Sequence, residues 1–306
     1  MTPTPPSEAC RICNYRQFST ILSGIKTRLG ETYTLRQCKN CSFISVDPLP
    51  QSKDLKQYYD QDYWQRDGRK INRWLTLLYK LRMGWVVRKI KKLVPPKGRI
   101  LDWGAGDGAF LNLLEKAGFD CWGIDSYSFH LNDSRLISTT IEEASFESAF
   151  FDAITCLHVL EHIERPFSSL KKALGLLKLG GLLVVEVPNI DSFGFQIFKK
   201  RWYPLDIPVH LNHFNPTVMQ RLLGAVGNMQ IITVEHFSQR NSPSSLLLSL
   251  IPSLSPPRIR ARYSGRYPLP LMVLYLILQV VTYPFALIAS VLNRGEVIRM
   301  YARKIG

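Results

Sequence analysis

Apolar positions along the chain follow two periods. Short, nearly unbroken apolar runs at residues 99–101, 119–124, 136–139, from Phe151 onward and at 182–187 alternate with stretches such as Ala109–Lys116, whose apolar side chains recur every three or four positions. Strands covered on both faces read as continuous apolar runs, and the helices that cover them show the 3.6-residue period. The alternation predicts an α/β domain over residues 98–240. Two further strand-like runs, 229–234 and 296–304, fit the edge of the same sheet but are separated by an apolar stretch.

That stretch and the segment before the domain are the unusual parts of the pattern. Residues 70–97 contain no acid, and Trp74, Leu77, Leu78, Leu81, Trp85 and Val86 recur at helical spacing until Pro95-Pro96 ends them, which predicts a basic amphipathic helix. It can pack on the sheet or lie on a membrane, but it cannot give its whole apolar face to both. Residues 267–293 carry no charge and are long enough to cross a bilayer, although Pro268, Pro270 and Pro284 interrupt them. Because the last strand returns to the sheet, both ends of this insertion must emerge on one side of any membrane. It is therefore expected to be re-entrant, to lie in the interface, or to pair with residues 246–254 as a hairpin. A buried lid or a dimer interface is the alternative for the same pattern. Six arginines, Arg240, Arg258, Arg260, Arg262, Arg266 and Arg294, accompany it with no acid between Glu235 and Glu296, and anionic leaflets attract such flanks. The expected segments are 1–50, a linker 51–97 that includes a tyrosine-rich run at 55–64, the domain 98–240, the insertion 241–294 and a last strand at 295–306.

Composition adds a partner and a compartment. The chain of 306 residues is 46% hydrophobic with a formal charge of +15. That suits a folded protein attracted to something anionic, either nucleic acid or an acidic membrane surface. The opening residues, Met1-Thr2-Pro3-Thr4-Pro5-Pro6-Ser7, lack the basic start and apolar core of a signal peptide, so a cytoplasmic location and reduced cysteines are expected. Four of six cysteines fall as Cys10-x-x-Cys13 and Cys38-x-x-Cys41 with strand-like alternation around the second pair. Two such pairs suit a zinc-ribbon-like module with one structural Zn2+, the alternative being free or redox-active thiols. Cys121 and Cys156 lie in apolar runs and read as core residues.

The chemistry centres on Asp102-Trp103-Gly104-Ala105-Gly106-Asp107-Gly108, where an apolar strand turns into a helix. The glycine spacing G-x-G-x-G differs from the dinucleotide pattern G-x-G-x-x-G, and Asp102 would repel a pyrophosphate yet could accept hydrogen bonds from an ammonium group. Asp125, closing the next apolar run, stands where a ribose diol is held. This turn, the run 151–162, the Gly180-Gly181 turn before residues 182–186, and Val187-Pro188-Asn189 together resemble the class I S-adenosylmethionine-dependent methyltransferases in order and spacing. The resemblance implies a Rossmann-like, seven-stranded sheet and S-adenosylmethionine as cofactor. It also implies that Asp102, Gly104, Ala105 and Gly106 hold the methionine end, Asp125 and Ser126 the ribose, and Glu142 or Glu143 and Leu157 the neighbourhood of adenine.

Methyl transfer to oxygen or carbon needs a base for the acceptor proton. His158 and His162 follow the fourth strand and His210 and His213 follow the fifth, with His210 the first choice, while His130 and His236 have no supporting context. His158-x-x-Glu161-His162 also spells a zinc-protease signature, but its place in the methyltransferase order already accounts for it. Some quinone-type O-methyltransferases carry metal-binding acids in this loop, and here His158 stands in their place. Lys199-Lys200-Arg201 suits an anionic substrate group or a solvated turn. The expected acceptor is a glycan, a lipid-linked sugar or an isoprenoid-type small molecule at the cytoplasmic membrane face. An RNA base methyltransferase with a zinc-ribbon head and a non-catalytic membrane adaptor are the alternatives.

Overall fold

The computed structural model describes residues 9–51, 55, 57–58, 73–126, 133–263 and 267–306, with the side chains of 73–78, 257, 260 and 261 excepted. Met1 to Ser7, the tyrosine-rich run beyond Tyr58, His130, Arg266 and the side chains of Trp74, Leu77, Leu78 and Arg260 therefore lie outside the described residues.

In chain order, strands β1 (Phe18–Lys26), β2 (Thr32–Cys38) and β3 (Ile44–Asp47) precede helix α1 (Arg73–Leu93), β4 (Arg99–Trp103), α2 (Ala109–Lys116), β5 (Asp120–Ile124), β6 (Leu136–Ile137) and β7 (Phe151–Leu157). Next come α3 (Pro166–Leu176), β8 (Leu177–Pro188), α4 (Phe193–Phe198), β9 (Asn212–His213), α5 (Pro216–Val226) and β10 (Met229–Glu235). Helices α6 (Ser242–Leu250), α7 (Pro256–Arg262) and α8 (Leu269–Val291) then lead to β11 (Val297–Lys304). The chain divides into two compact units. One draws on Met1–Ile71, Pro188–Asn215 and His236–Val297, and the other on Asn72–Val187, Pro216–Glu235 and Ile298–Gly306. This division cuts across the five segments expected from the sequence.

The second unit holds a seven-stranded sheet in the order β10-β11-β8-β7-β4-β5-β6. Strand β4 runs parallel to both β5 and β7, β7 to β8 and β5 to β6, whereas β10 pairs antiparallel with β11. This is the Rossmann-like arrangement expected. The sheet's central strands are buried on both faces because helices cover them, which is why they read as continuous apolar runs. Met83, Val86, Val87 and Ile90 of α1 pack with Ile100, Phe110, Leu111, Leu114, Ala153 and Val184. Burying each such leucine or isoleucine contributes on the order of 2 kcal/mol. Helix α1 thus packs on the sheet through Val86 of the face expected, whereas Leu81 and Trp85 of that face are 61% and 60% exposed, and the Arg88 guanidinium lies over the Trp85 ring.

In the first unit, β1, β2 and β3 form an antiparallel meander, and β9 adds to β3 with Ile44 opposite His213 and Ser45 opposite Asn212. Its core joins Ile25, Tyr33, Leu35 and Val46 to Ile190, Phe195, Trp202 and Leu205, so the cysteine-bearing strands share a core with the segment after β8. Within the insertion, α6 and α8 run antiparallel: Gln279 Nε2 donates to Ser244 Oγ at 2.7 Å and Thr282 Oγ1 to the Pro243 carbonyl at 3.0 Å. Leu247 and Leu248 meet Leu271, Tyr275 and Leu278. The hairpin expectation holds.

Candidate functional site

The strand order reverses between β4 and β7, and ligands of open α/β sheets bind beyond the carboxyl ends of strands at such a point. The turn after β4 is tied to β5, since the Gly104 and Ala105 amides both donate to the Ile124 carbonyl, at 2.8 and 3.1 Å. Gly104 has φ +82, and a Cβ there would lie 2.1 Å from Val159 Cγ2, so only glycine fits. At Gly106, φ +54, a Cβ would meet nothing within 4 Å, so the glycine leaves open a space that a side chain would fill. The Gly106 amide donates to Asp125 Oδ2 at 3.0 Å. Asp102 is buried at the end of β4 and accepts from Thr155 Oγ1 at 2.7 Å. Burial, with the nearby Asp125 charge, raises its carboxyl to about 7 although the Thr155 bond opposes the shift. A buried acid poised at neutrality is suited to an incoming cation, and open backbone beside Asp125 suits a nucleoside, so these residues fit S-adenosylmethionine.

The other residues expected to touch the cofactor surround the same strand ends. Ala105 is buried, Ser126 is exposed beyond Asp125, and Leu157 is half-buried at the end of β7. Glu142 and Glu143 are both exposed. They differ in their ties: Glu142 accepts from the Ser169 hydroxyl of α3, whereas the Glu143 amide donates to Thr140 Oγ1 at 3.3 Å.

His158 ends β7 with φ +59, and its amide donates to the Glu186 carbonyl at 2.8 Å. Its Nδ1 lies 3.0 Å from Glu161 Oε1 and its Nε2 lies 2.8 Å from Glu186 Oε1. Burial favours the neutral ring, but the bonds to Glu161 and Glu186 outweigh it and raise His158 to about 9. Both ring nitrogens of His158 are therefore engaged by carboxylates. The chain of charges continues inward. Arg299 Nε donates to Glu186 Oε2 at 2.6 Å and its Nη1 to Glu235 Oε2 at 2.9 Å, and Lys89 Nζ reaches Glu235 Oε1 at 2.6 Å. The Arg299 and His158 charges hold Glu186 well below the usual carboxylate range against the cost of burial. The protease signature is excluded by local structure, because Leu160–His162 is a single 3₁₀ turn and not a metal-ligating helix.

In the first unit the four cysteines converge, with Cys10 Sγ 3.5 Å from Cys41 Sγ and Cys13 Sγ 3.6 Å from Cys38 Sγ. All four sulfurs lie within 4.8 Å of one another. Tetrahedral zinc with bonds of about 2.3 Å needs sulfurs about 3.8 Å apart, so the tetrad fits that ion. The two knuckles share one design: Asn14 N donates to Cys10 O and Ser42 N to Cys38 O, at 2.9 and 3.0 Å, with φ of +59 and +64 at the donors. Cys10 N to Tyr15 O and Cys38 N to Phe43 O complete the match at 2.8 and 2.9 Å. Between the first pair, Arg11 Nη2 donates to the Leu211 carbonyl at 3.1 Å, next to His210. His210 is buried, and its Nδ1 donates to the Pro204 carbonyl at 2.7 Å, which makes Nε2 the basic nitrogen. His210 and His213 face each other edge to face at 6.4 Å. His162 belongs to the other unit, half-buried in the 3₁₀ turn.

A family profile described as a methyltransferase domain matches residues 76–228, half of the chain. The chain belongs to the methyltransferase domain family. Among curated proteins, this methyltransferase is 28% identical to the ubiquinone biosynthesis O-methyltransferase of Vibrio parahaemolyticus over 223 residues, 66% of this chain and 92% of that one. It is 30% identical to the protein of the same name from Paracidovorax citrulli over 173 residues, 51% of this chain and 68% of that one. Among solved structures, it is similar to an S-adenosylmethionine-dependent methyltransferase from Archaeoglobus fulgidus (TM-score 0.50, 18% identity, covering 81% and 99% of the two chains). It is also similar to the cyclase SpnF (TM-score 0.52, 18% identity, 83% and 96%); at such identity the likeness is one of fold. Together these make the methyltransferase a class I, S-adenosylmethionine-dependent enzyme.

Sequence reasoning missed Thr155, Glu186, Arg299, Glu235 and Arg11. A signal was present for two of them, since Glu186 and Arg299 are the charges within the buried apolar runs of β8 and β11, where a buried charge must find a partner.

Proposed function

We propose that this methyltransferase moves a methyl group from S-adenosylmethionine to a hydroxyl oxygen of a small acceptor bearing an isoprenoid-type tail. The observation that carries this reading is a set of relatives named ubiquinone biosynthesis O-methyltransferases, matched by a chain that keeps Asp102, the glycine turn and Asp125. A lipid-linked sugar offers the same pairing of hydroxyl and tail and is the second acceptor class for the site. An RNA acceptor gains no support from these relatives.

When bound, the cofactor supplies an electrophilic methyl group, so alignment and exclusion of water carry most of the rate enhancement. Asp102 holds the ammonium end, and Gly104, Ala105 and Gly106 leave room for the methionine portion. Asp125 and Ser126 hold the ribose hydroxyls, and Glu142 and Leu157 border the adenine. His210 Nε2 takes the acceptor proton, an effect worth about 10²–10⁴-fold, with His162 the other candidate. His158, clamped by Glu161 and Glu186, fixes the loop after β7. Cys10, Cys13, Cys38 and Cys41 hold a structural Zn2+. Because such a tail dissolves in lipid, the reading puts the enzyme in the cytoplasm against the inner face of an anionic membrane.

Two measurements test it. Calorimetry should show S-adenosylmethionine affinity falling at least about tenfold in Asp102→Ala and in Asp125→Ala, the worth of one lost charge-assisted hydrogen bond. Transfer of labelled methyl to a polyprenylated catechol should fall about 10²-fold in kcat for His210→Gln with cofactor affinity retained. Unchanged affinity in both aspartate variants, or transfer to RNA and not to the catechol, would overturn the reading.

A further inference from the structure

The insertion carries its polarity inside out. Along α8, the polar side chains Gln279 and Thr282 and the small Ala286 and Ala289 turn toward the protein, where the first two bond to Ser244 and Pro243. The opposite face is apolar and open: Val273, Ile277, Val280, Val281, Ile288 and Val291 are exposed, Val280 to 72% and Val291 to 82%. A helix facing water arranges these classes the other way round, and an apolar face of this extent marks a contact surface.

The rim of that face is cationic. Helix α6 ends beside the N-terminal half of α8, and there Arg201 Nη2 donates to the Leu250 carbonyl at 3.4 Å. Lys199, Lys200 and Arg201 are exposed at this end, as are Arg258 and Arg262 of α7, and Arg294 is exposed just beyond the other end of α8. No acid occurs from residue 236 to 295. Two copies of the chain meeting through this face would set like charges against each other, whereas anionic lipid headgroups complement them.

Closure of the insertion decides the orientation. A Cβ on Gly295 would lie 1.8 Å from the His236 carbonyl oxygen, so the chain leaves and returns at one point. Helix α8, at 23 residues, is roughly 34 Å long and could span the roughly 30 Å hydrocarbon layer. Its return partner α6 has 9 residues, about 14 Å, less than half the thickness. Residues of α6 are also buried by protein.

We propose that α8 lies in the plane of an anionic leaflet, with the face bearing Ile277 and Val280 among the acyl chains and the arginines at its two ends on the headgroups, as a one-sided anchor that does not cross. The proposal deepens the membrane-face part of the reading above and rests on that part, not on methyl transfer.

The test is flotation of the full-length protein with vesicles of phosphatidylcholine mixed with phosphatidylglycerol, and with vesicles of phosphatidylcholine alone. Wild type should float with the mixed vesicles and fall to the bottom fraction when Ile277→Glu and Val280→Glu are combined. Both positions are exposed, so cofactor binding by calorimetry should be unchanged and the variant folded. Combining Arg258→Gln, Arg262→Gln and Arg294→Gln should weaken binding to the mixed vesicles and remove their advantage. Nitroxide amino acids at Val273 and Val291 should report equal depth, and depths differing by a leaflet would overturn the in-plane orientation. Failure of wild type to float, or flotation of the glutamate variant equal to wild type, would overturn the anchor. So would a wild-type dimer that the glutamates convert to monomer without any flotation, which would assign the face to a second copy. Flotation with no S-adenosylmethionine binding would instead sink the methyltransferase reading and leave the anchor standing.

Discussion

At the scale of single residues, the two sides of the cofactor turn differ in kind. Asp102 is raised to about 7 by burial and by Asp125, while its unfolded-state value is about 3.9. A group raised in this way stabilises the folded protein below its unfolded pKa, and that contribution is lost as pH climbs through about 7. A bound ammonium reverses the preference, because it requires the carboxylate. S-adenosylmethionine affinity should therefore rise roughly 20- to 30-fold between about pH 5.5 and 7.5, following the ionised fraction of Asp102. Near pH 6, a pH chosen about one unit below that pKa, binding should release close to one proton, seen as a dependence of the calorimetric enthalpy on buffer. Asp102→Asn should bind weakly with no such pH dependence, and a flat wild-type profile would show that the acid does not titrate. Arg299 tests the neighbouring network. Removing it as Arg299→Met strands the buried Glu186 and should cost about 3–5 kcal/mol in denaturant unfolding, and His158 should keep a pKa above its usual value by NMR because Glu161 still holds Nδ1.

At the scale of elements, the cysteine knuckles and the histidine loop act as one piece. Arg11 sits inside the first knuckle and holds the Leu211 carbonyl, the Val46 amide bonds the same carbonyl at 3.1 Å, and Phe43 packs on Phe214 at 5.8 Å. Zinc at the tetrad would thus fix the backbone beside His210. Cys38→Ser, or chelation, should remove one zinc per chain, speed amide hydrogen exchange at residues 209–214 and lower kcat, with S-adenosylmethionine affinity changed less than about threefold because its residues lie in other elements. Exchange that stays slow after metal loss would separate the two. How much of this was legible in the sequence depends on the range of the interaction. The Rossmann alternation, the glycine turn, the cysteine tetrad and the α6–α8 hairpin are written in local period and spacing. The expected face of α1 is buried at Val86 and exposed at Leu81 and Trp85, which satisfy helical spacing as well as the buried Met83 and Ile90 do; period fixes the element and leaves the phase open when adjacent stripes are both apolar. The carboxylate that engages His158 Nε2 lies 28 residues away, and Arg299 a further 113. No local pattern announces such partners.

At the scale of the whole molecule, the chain builds its first unit from three separate stretches, and this sets what can fold alone. A cysteine module read as residues 1–50 contains the tetrad and strands β1, β2 and β3, and zinc binding is strong enough to fold small modules by itself. Its strands, however, bury Tyr33, Leu35, Ile44 and Val46 against Ile190, Phe195, Trp202 and Leu205, and β3 pairs outward with β9. Cut at residue 50, these four side chains and Ile25 of the same core lose their partners, and β3 becomes an unprotected edge. At about 2 kcal/mol for each large side chain left wet, the missing burial approaches the whole 5–15 kcal/mol stability of an ordinary domain. Residues 9–51 with one equivalent of zinc should therefore order the two knuckles, visible as tight thiolate coordination with cobalt as a spectroscopic stand-in, while the amides of β3 exchange within the dead time. A fragment carrying residues 9–51 joined to 188–215 should regain that protection. Slow exchange in β3 of the short fragment would show that the tetrad alone holds the sheet, and that the histidine loop leans on the cysteine module without lending it stability in return.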